Sequence, residues 1–402
     1  RKFILLGWRK HYFSKEYNET IWDKCEVNLE MFCKTCLFPN TKPDINFNED
    51  GICDSCISAK RKHGLFKSID WSSRKEKFEK ILDNAKLISG NYYNCIVPVS
   101  GGKDSTWQVY VMKKLHKMNP LAITFDQFDQ TPLGRQNLEA LKSIGVDHIH
   151  FTMNPDLIRK LVQTGFEIVG DPYWVNHVGI LTVPIHFACK FKIPLVVYGE
   201  NPLFEYGGPE FDRDNYVMNK KWRQQHGGMR GMREEDVVDE NISIKDIRML
   251  TFPEDEEIEK KNIQALFYGH FFKWQPDKHT EFIKKFGWKE DRKPQKGSWS
   301  KTENLDMKFI DIRERIKFLK YGYGRATDQL NIAIKSNLIS RKKALKLADK
   351  IDGKVNQKNI TDFCKYLKIS KERYNEIMDS FVNHNLFVKD NKGEWRKKFK
   401  RN

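Results

Sequence analysis

One stretch constrains the fold more than any other: Cys95-Ile-Val-Pro-Val-Ser100-Gly101-Gly102-Lys103-Asp104-Ser105. An apolar run of strand length stops on Ser-Gly-Gly and becomes a polar helix start. That order brings backbone N–H groups and a helix N-terminus to one point, as a polyphosphate requires. The glycines let the main chain approach phosphates closely, Ser100 and Ser105 add hydroxyl donors, and Asp104 is within reach of a phosphate-bound Mg²⁺. The competing reading is an ordinary glycine turn between strand and helix, which suits Gly-Gly alone better than the whole Ser-Gly-Gly-Lys-Asp-Ser. The sequence has no G-x-x-x-x-G-K-[ST] loop, so γ-phosphate transfer of the kinase or GTPase kind is not indicated.

A chain of 402 residues, 39% of them hydrophobic and 13% aromatic, can build two or three compact units with a substantial core. Its 71 Lys and Arg against 54 Asp and Glu leave a formal charge of +17. Such a balance suits nucleic acid, an anionic membrane face or small anionic substrates. The lysines are nevertheless spread along the chain among many Asn and Ile residues, a bias that genome composition also produces, and a nucleic-acid partner is not expected. No run approaches the roughly 18 apolar residues of a membrane span, and Phe3-Ile-Leu-Leu-Gly7 is too short for a signal core, so the expectation is a cytoplasmic protein without membrane insertion. In that compartment the eight cysteines are metal ligands or buried thiols before they are disulfides.

Taken in order, residues 1–31 show weak amphipathic patterning and read as an appended helical extension. Cys33-Lys-Thr-Cys36 and Cys53-Asp-Ser-Cys56 follow, two pairs at the spacing of a tetrahedral zinc ribbon over 32–68, with Asn48-Glu-Asp-Gly51 as a turn before the second pair. Four thiolates leave no open position for water, so the metal is expected to be structural Zn²⁺; a four-Cys iron–sulfur cluster is the chemical alternative. From 69 to 252 short apolar strands alternate with helices: Cys95–Val99, Leu121–Phe125, His148–Thr152 and Leu195–Gly199, with a helix from about His177 to Phe191 before the last. That alternation predicts an α/β unit with a doubly wound parallel sheet. Ligands of such sheets lie at the carboxyl ends of the strands, which nominates Ser100 to Ser105, Asp126 and Glu200-Asn201. Asp126 reads equally as an adenosine-side partner or as a helix cap.

Gly199-Glu-Asn-Pro-Leu-Phe-Glu205-Tyr206-Gly-Gly-Pro209 then places two carboxylates and an amide in a glycine-rich loop at the sheet mouth, where substrate chemistry is usually found. Asn201 and Tyr206 are candidate substrate contacts there. Ala265 to Gly269 reads as a possible further strand, followed by an aromatic-rich loop to Trp299. From 253 to 402 the chain is mainly helical. Around Tyr321-Gly-Tyr-Gly-Arg325, Lys320 and Arg325 form either an anion clamp or an ordinary interhelical turn. The tail Trp395-Arg-Lys-Lys-Phe-Lys-Arg401 is expected to be a solvated basic end.

These motifs resemble known enzymes. The Ser100–Ser105 segment is similar to the pyrophosphate loop of the N-type ATP pyrophosphatases (the PP-loop type), which split ATP into AMP and pyrophosphate while adenylating a carbonyl or amide oxygen. Within that group, Cys33-Lys-Thr-Cys36-Leu-Phe-Pro39, Gly170-Asp-Pro172, His177-Val-Gly179, Gly199-Glu-Asn-Pro202, Glu205-Tyr-Gly-Gly-Pro209 and Gly322-Tyr-Gly-Arg-Ala-Thr-Asp328 resemble segments of the N-acetyl sugar amidotransferases of bacterial surface-polysaccharide and nonulosonic-acid biosynthesis. Many relatives carry a Cys-x-x-Cys where this chain has Tyr173 and Asn176. The resemblance implies ATP- and Mg²⁺-dependent conversion of an acetamido group on a nucleotide-activated sugar into an acetamidino group. Gly101, Gly102 and Lys103 would stabilise the departing pyrophosphate, Glu200 or Glu205 would hold substrate or take a proton, and His177 is a second base candidate or else a cap. Cys25, Cys95, Cys189 and Cys364 lack the glycine-flanked elbow of a glutaminase nucleophile. The resemblance therefore also implies a glutaminase partner with an ammonia-channelling component. The rival class is a tRNA-modifying pyrophosphatase, in which Cys189 would be the reactive thiol.

Overall fold

The chain was analysed as a computed structural model that describes residues 31–43, 45–60, 69–90, 92–199, 215–226, 237–274 and 276–400. The expected helical extension at 1–31 falls almost wholly outside these residues.

Helix α1 (Trp71–Ser89) starts where Asp70 accepts the N–H of Ser73 at 3.0 Å, and it buries Phe78, Leu82 and Ala85, spaced four and three apart on one face. Strand β1 (Cys95–Pro98) follows, then α2 (Lys103–Tyr110), which continues through a π turn to Leu115. Strand β2 (Pro120–Phe125), α3 (Pro132–Glu139), β3 (Asp147–Phe151), α4 (Pro155–Thr164), α5 (Trp174–Phe191) and β4 (Leu195–Tyr198) complete the alternation. After α6 (Lys220–His226) and α7 (Asp255–Lys260), strand β5 (Gln264–Phe267) closes the sheet from beyond residue 252.

The five strands run parallel in the order β3-β2-β1-β4-β5, with Ile96 level with both Leu121 and Val196. Their inner members are apolar throughout because both faces are covered: Cys95, Val97 and Leu266 pack with α1 and α2, whereas Ile96, Leu121 and Ala265 pack with α5 and the later helices. The chain winds outward from β1 to β3, then returns to β4 and β5. The C-terminal end of β1 is therefore the point where the winding reverses, and the glycine loop sits there.

The region expected to be an aromatic loop up to Trp299 contains α8 (Pro276–Ile283), which packs along α2 through Phe282 against Trp107 and Tyr110. Helices α9 (Ile310–Tyr321), α10 (Arg325–Lys335), α11 (Arg341–Ile351), α12 (Gln357–Leu367) and α13 (Lys371–Asp379) follow. The basic tail is not a loose end. Strands β6 (Phe387–Lys389) and β7 (Trp395–Lys397) pair antiparallel, Arg396 bonds Asp390 at 2.7 Å, and Phe399 is buried against Gly322. Charge density alone hid the apolar residues, Trp395 and Phe399, that anchor it.

Candidate functional site

The glycine loop begins at Ser100. Gly101 has φ +85°, and a Cβ there would stand 2.8 Å from the Gly134 carbonyl, so both backbone angle and space require glycine. Gly102 precedes α2 in an extended conformation, and no side chain caps that helix. Instead the loop bonds itself: Gly102 N–H donates to Ser100 Oγ at 3.3 Å, Ser105 Oγ to the Gly102 carbonyl at 3.2 Å, and Ser100 N–H to Ser105 Oγ at 3.3 Å. An uncapped helix start behind a glycine turn is the arrangement that receives anions.

Asp104, in the first turn, pairs with Lys103 Nζ at 2.6 Å through Oδ2, while Oδ1 is buried with no hydrogen-bond partner and lies 3.9 Å from His279 Nδ1. Burial alone would raise this carboxyl, but the nearby His279 and the Lys103 charge outweigh it and hold it below the usual range. An ionised carboxylate with one oxygen uncommitted beside an anion cradle suits Mg²⁺. His279 is fixed by Trp107, stacked at 4.7 Å, and by the edge of Trp274 at 4.8 Å.

Segments far along the chain close over the loop. Trp288 Nε1 donates to the Gly101 carbonyl at 3.0 Å, and Asn137 exchanges two hydrogen bonds with the backbone of Lys289. Asp306 accepts from Gln127 Nε2, and its Cα packs so tightly on Gly134, whose carbonyl backs Gly101, that a Cβ on Gly134 would come within 2.5 Å.

A line of charge leads away from Lys103. Glu303 feels Lys103 and bonds Arg325 Nη2 at 2.5 Å; Arg325 in turn interacts with Glu314, which accepts from Arg313 at 2.9 Å. Arg313 also bonds Asp171 at 3.0 Å, and His177 Nδ1 stands 3.8 Å from the same carboxyl. A recess lined by Gln295, Lys296, Ser298, Glu303, Glu314 and Arg325 opens on this line.

The structure thus brings Ser100, Gly101, Gly102, Lys103, Asp104 and Ser105 together, with Arg325 joined to them through Glu303. His177 sits at the far end of the charge line, one turn inside α5 rather than capping it. Asp126 caps no helix, since Thr131 caps α3; it accepts from His150 Nε2 at 2.9 Å and Thr152 Oγ1 at 3.1 Å. Lys320 is directed elsewhere than Arg325, donating to the Val169 carbonyl at 3.0 Å with its ammonium 4.8 Å from the Phe381 ring. Glu200, Asn201, Glu205 and Tyr206 lie outside the described residues. Sequence reading missed His279, Trp288, Glu303 and Asp306, none of which belongs to a local motif.

The sulfurs of Cys33, Cys36, Cys53 and Cys56 all lie within 4.8 Å of one another, with Cys33–Cys56 at 3.9 Å and Cys36–Cys53 at 3.6 Å. A tetrahedron with metal–sulfur bonds of about 2.3 Å has edges of about 3.8 Å, so the buried group could hold a structural metal such as zinc. The ribbon is docked on the C-terminal helices: Leu37 N–H donates to Asn331 Oδ1 at 2.8 Å, and Arg341 donates to the Cys33 and Cys36 carbonyls at 3.0 Å.

A five-stranded parallel α/β sheet with a four-cysteine cluster and a helical C-terminal region is the class these features define. Residues 283–400 match the family model described as the C-terminal domain of WbpG-like LPS biosynthesis proteins. The match is consistent with a role in polysaccharide biosynthesis, and a family of that description suggests an enzyme. The chain is also similar to the uncharacterized protein MJ1599 of Methanocaldococcus jannaschii, at 34% identity over 97 residues, 24% of this chain and 33% of that protein. The aligned part thus spans about a third of the length of that curated relative. None of the described helices is long and apolar enough to cross a membrane.

Proposed function

We propose that the protein is an ATP-dependent amidotransferase that converts an acetamido group of a nucleotide-activated sugar into an acetamidino group, releasing AMP and pyrophosphate. One observation carries the reading: the glycine loop at the winding reversal is closed by Trp288, which bonds the Gly101 carbonyl, and by Asp306, which packs on Gly134 behind Gly101, and both belong to the segment that resembles LPS biosynthesis proteins. A nucleotide loop joined in this way to a polysaccharide-type region suits nucleotide chemistry carried out on a sugar.

In this reading Gly101, Gly102 and the start of α2 hold the polyphosphate, with Asp104 Oδ1 as a ligand of Mg²⁺, which supplies charge neutralisation to the leaving pyrophosphate. Lys103 adds positive charge at the same point. The amide oxygen of the sugar is a poor leaving group until it is adenylated, after which ammonia can replace it. Lys296 and Arg325 are cations beside the recess that suit the anionic carrier of the sugar, and Glu200, Asn201, Glu205 and Tyr206 are candidates for the sugar itself. A glutaminase partner would supply ammonia, and the four thiols of the ribbon would hold zinc.

The thiolation alternative is disfavoured by Cys189, which is buried and whose thiol burial pushes up to about 11, where little reactive thiolate forms. Incubation with ATP, Mg²⁺, ammonium and a panel of UDP- and CMP-linked diacetamido sugars tests the proposal. A product in which O has become NH, formed together with AMP, is the expected result. AMP without a modified sugar, or tRNA-dependent AMP formation, refutes it.

A further inference from the structure

We propose that Asp129, Asp306 and Gln127 form a buried ammonium site behind the glycine loop, where the nitrogen used in the reaction is held. This inference rests on the amidotransferase reading above, and it concerns a site that the loop itself does not include.

The C-terminal end of β2 runs into Asp126-Gln-Phe-Asp-Gln130, and this short segment is unusually rich in buried oxygen acceptors. Asp129 is 8% exposed; its Oδ2 accepts the Tyr173 hydroxyl and the Phe309 N–H, the latter at 2.8 Å, while Oδ1 is buried with no hydrogen-bond partner. Gln127 is 6% exposed and donates Nε2 to Asp306 Oδ2, which leaves its Oε1 buried and unpartnered beside the same carboxylate. Asp306 is buried too, its charge reaches Asp129, and it packs on Gly134 behind Gly101. One turn along α5 from Tyr173, the buried Asn176 also leaves Oδ1 without a partner.

Asp306 is bonded to Gln127 and its charge reaches Asp129, so the two carboxylates and the spare Gln127 oxygen share one buried neighbourhood, and neither carboxylate forms an ion pair with Lys or Arg among the described residues. Unpaired buried acceptors and uncompensated buried charge are both costly. Burial raises both carboxyls, Asp129 to about 7 and Asp306 to about 6, and a bound cation would relieve that penalty. The chemistry selects the ligand. Water supplies two donors and no charge, and an alkali cation would coordinate the same oxygens but brings no nitrogen to the reaction. Ammonium supplies charge with four N–H donors.

Asp306 packs on Gly134, whose carbonyl lies against Gly101, and this makes the site adjacent to the nucleotide loop. Ammonium gives one proton to Asp129 Oδ1. The ammonia formed makes a C–N bond to the adenylated amide carbon; the C–O bond breaks with its electron pair leaving on AMP, and the second proton lost by the nitrogen goes to that phosphate. Two hydrogens remain on the nitrogen of the amidinium product.

The test compares the thermal stability of the full, metal-loaded chain in ammonium, potassium, sodium and tetramethylammonium chloride at equal ionic strength, without nucleotide. Ammonium is expected to raise the midpoint above the other three. The increment should vanish in Asp129→Asn and shrink in Gln127→Leu, which keeps the charge and serves if the first variant fails to fold. In turnover, Asp129→Asn should raise the KM for ammonium about tenfold or more with the KM for ATP unchanged. Equal stabilisation by potassium and ammonium, or an increment that survives in both variants, overturns the proposal. An ammonium-specific increment without AMP formation on any sugar sinks the reaction and leaves the site; AMP and amidine formation without the increment sinks the site alone.

Discussion

Asp104 carries the sharpest consequence at the scale of single residues. Its carboxylate is held ionised beside Lys103 with Oδ1 uncommitted, so Asp104→Asn should abolish AMP formation while metal content and thermal midpoint stay near wild type. Unchanged AMP production in a quenched assay would remove Asp104 from the site. Gly101→Ala is expected to fail differently, because it forces a side chain into φ +85° and towards the Gly134 carbonyl. A stability loss of about 1–2 kcal/mol, read by denaturant titration, should accompany loss of ATP binding. Asp129 yields a pH signature. Its carboxyl is raised from about 4 to about 7 by burial, so between those values the folded protein binds more protons than the unfolded chain, and stability contributed by this group falls as pH rises through the window. Asp129→Asn removes that term. Urea midpoints of the variant should therefore decline less between pH 4 and pH 7 than those of wild type.

Elements were legible where one physical rule dominated. Strands buried on both faces are apolar along their length, so β1, β2 and β4 stood out within a residue or two, the exposed edge strand β3 showed through Ile149 and Phe151, and the paired Cys-x-x-Cys motifs announced a tetrahedral cluster. The glycine loop was legible because a strand, glycines and a helix start are consecutive in the chain. What closes it was not. Trp288 meets Gly101 across 187 residues and Asp306 meets Gln127 across 179, and no periodicity or local propensity records such contacts. The tail hairpin was hidden by its own charge. Arg325 shows the energetic side of this: replacing it with Ala leaves Glu303, largely buried, with Gln329 as a neutral donor and without its ion pair. A loss of about 2 kcal/mol is expected in chemical denaturation, less if water reaches the carboxylate.

On the scale of the whole molecule, the ribbon and the helical region form one packed body, with Leu37 inserted among Ala326, Leu330, Ala344 and Ala348. Chelation should therefore lower the thermal midpoint of the entire protein, and amide exchange in α10 and α11 should accelerate along with that of residues 33–56. Exchange confined to the ribbon would contradict a shared core. The docking also orders events in time. Leu37 waits for Asn331, which is 294 positions later, and at roughly 5–20 residues per second a ribosome needs about 15–60 s to deliver it. For that interval the ribbon can capture its metal but has nothing to sit on, and Leu37 stays in water. A nascent chain stalled before Arg325 should therefore hold zinc and still attract chaperones at the ribbon, whereas one released after Ile351 should not.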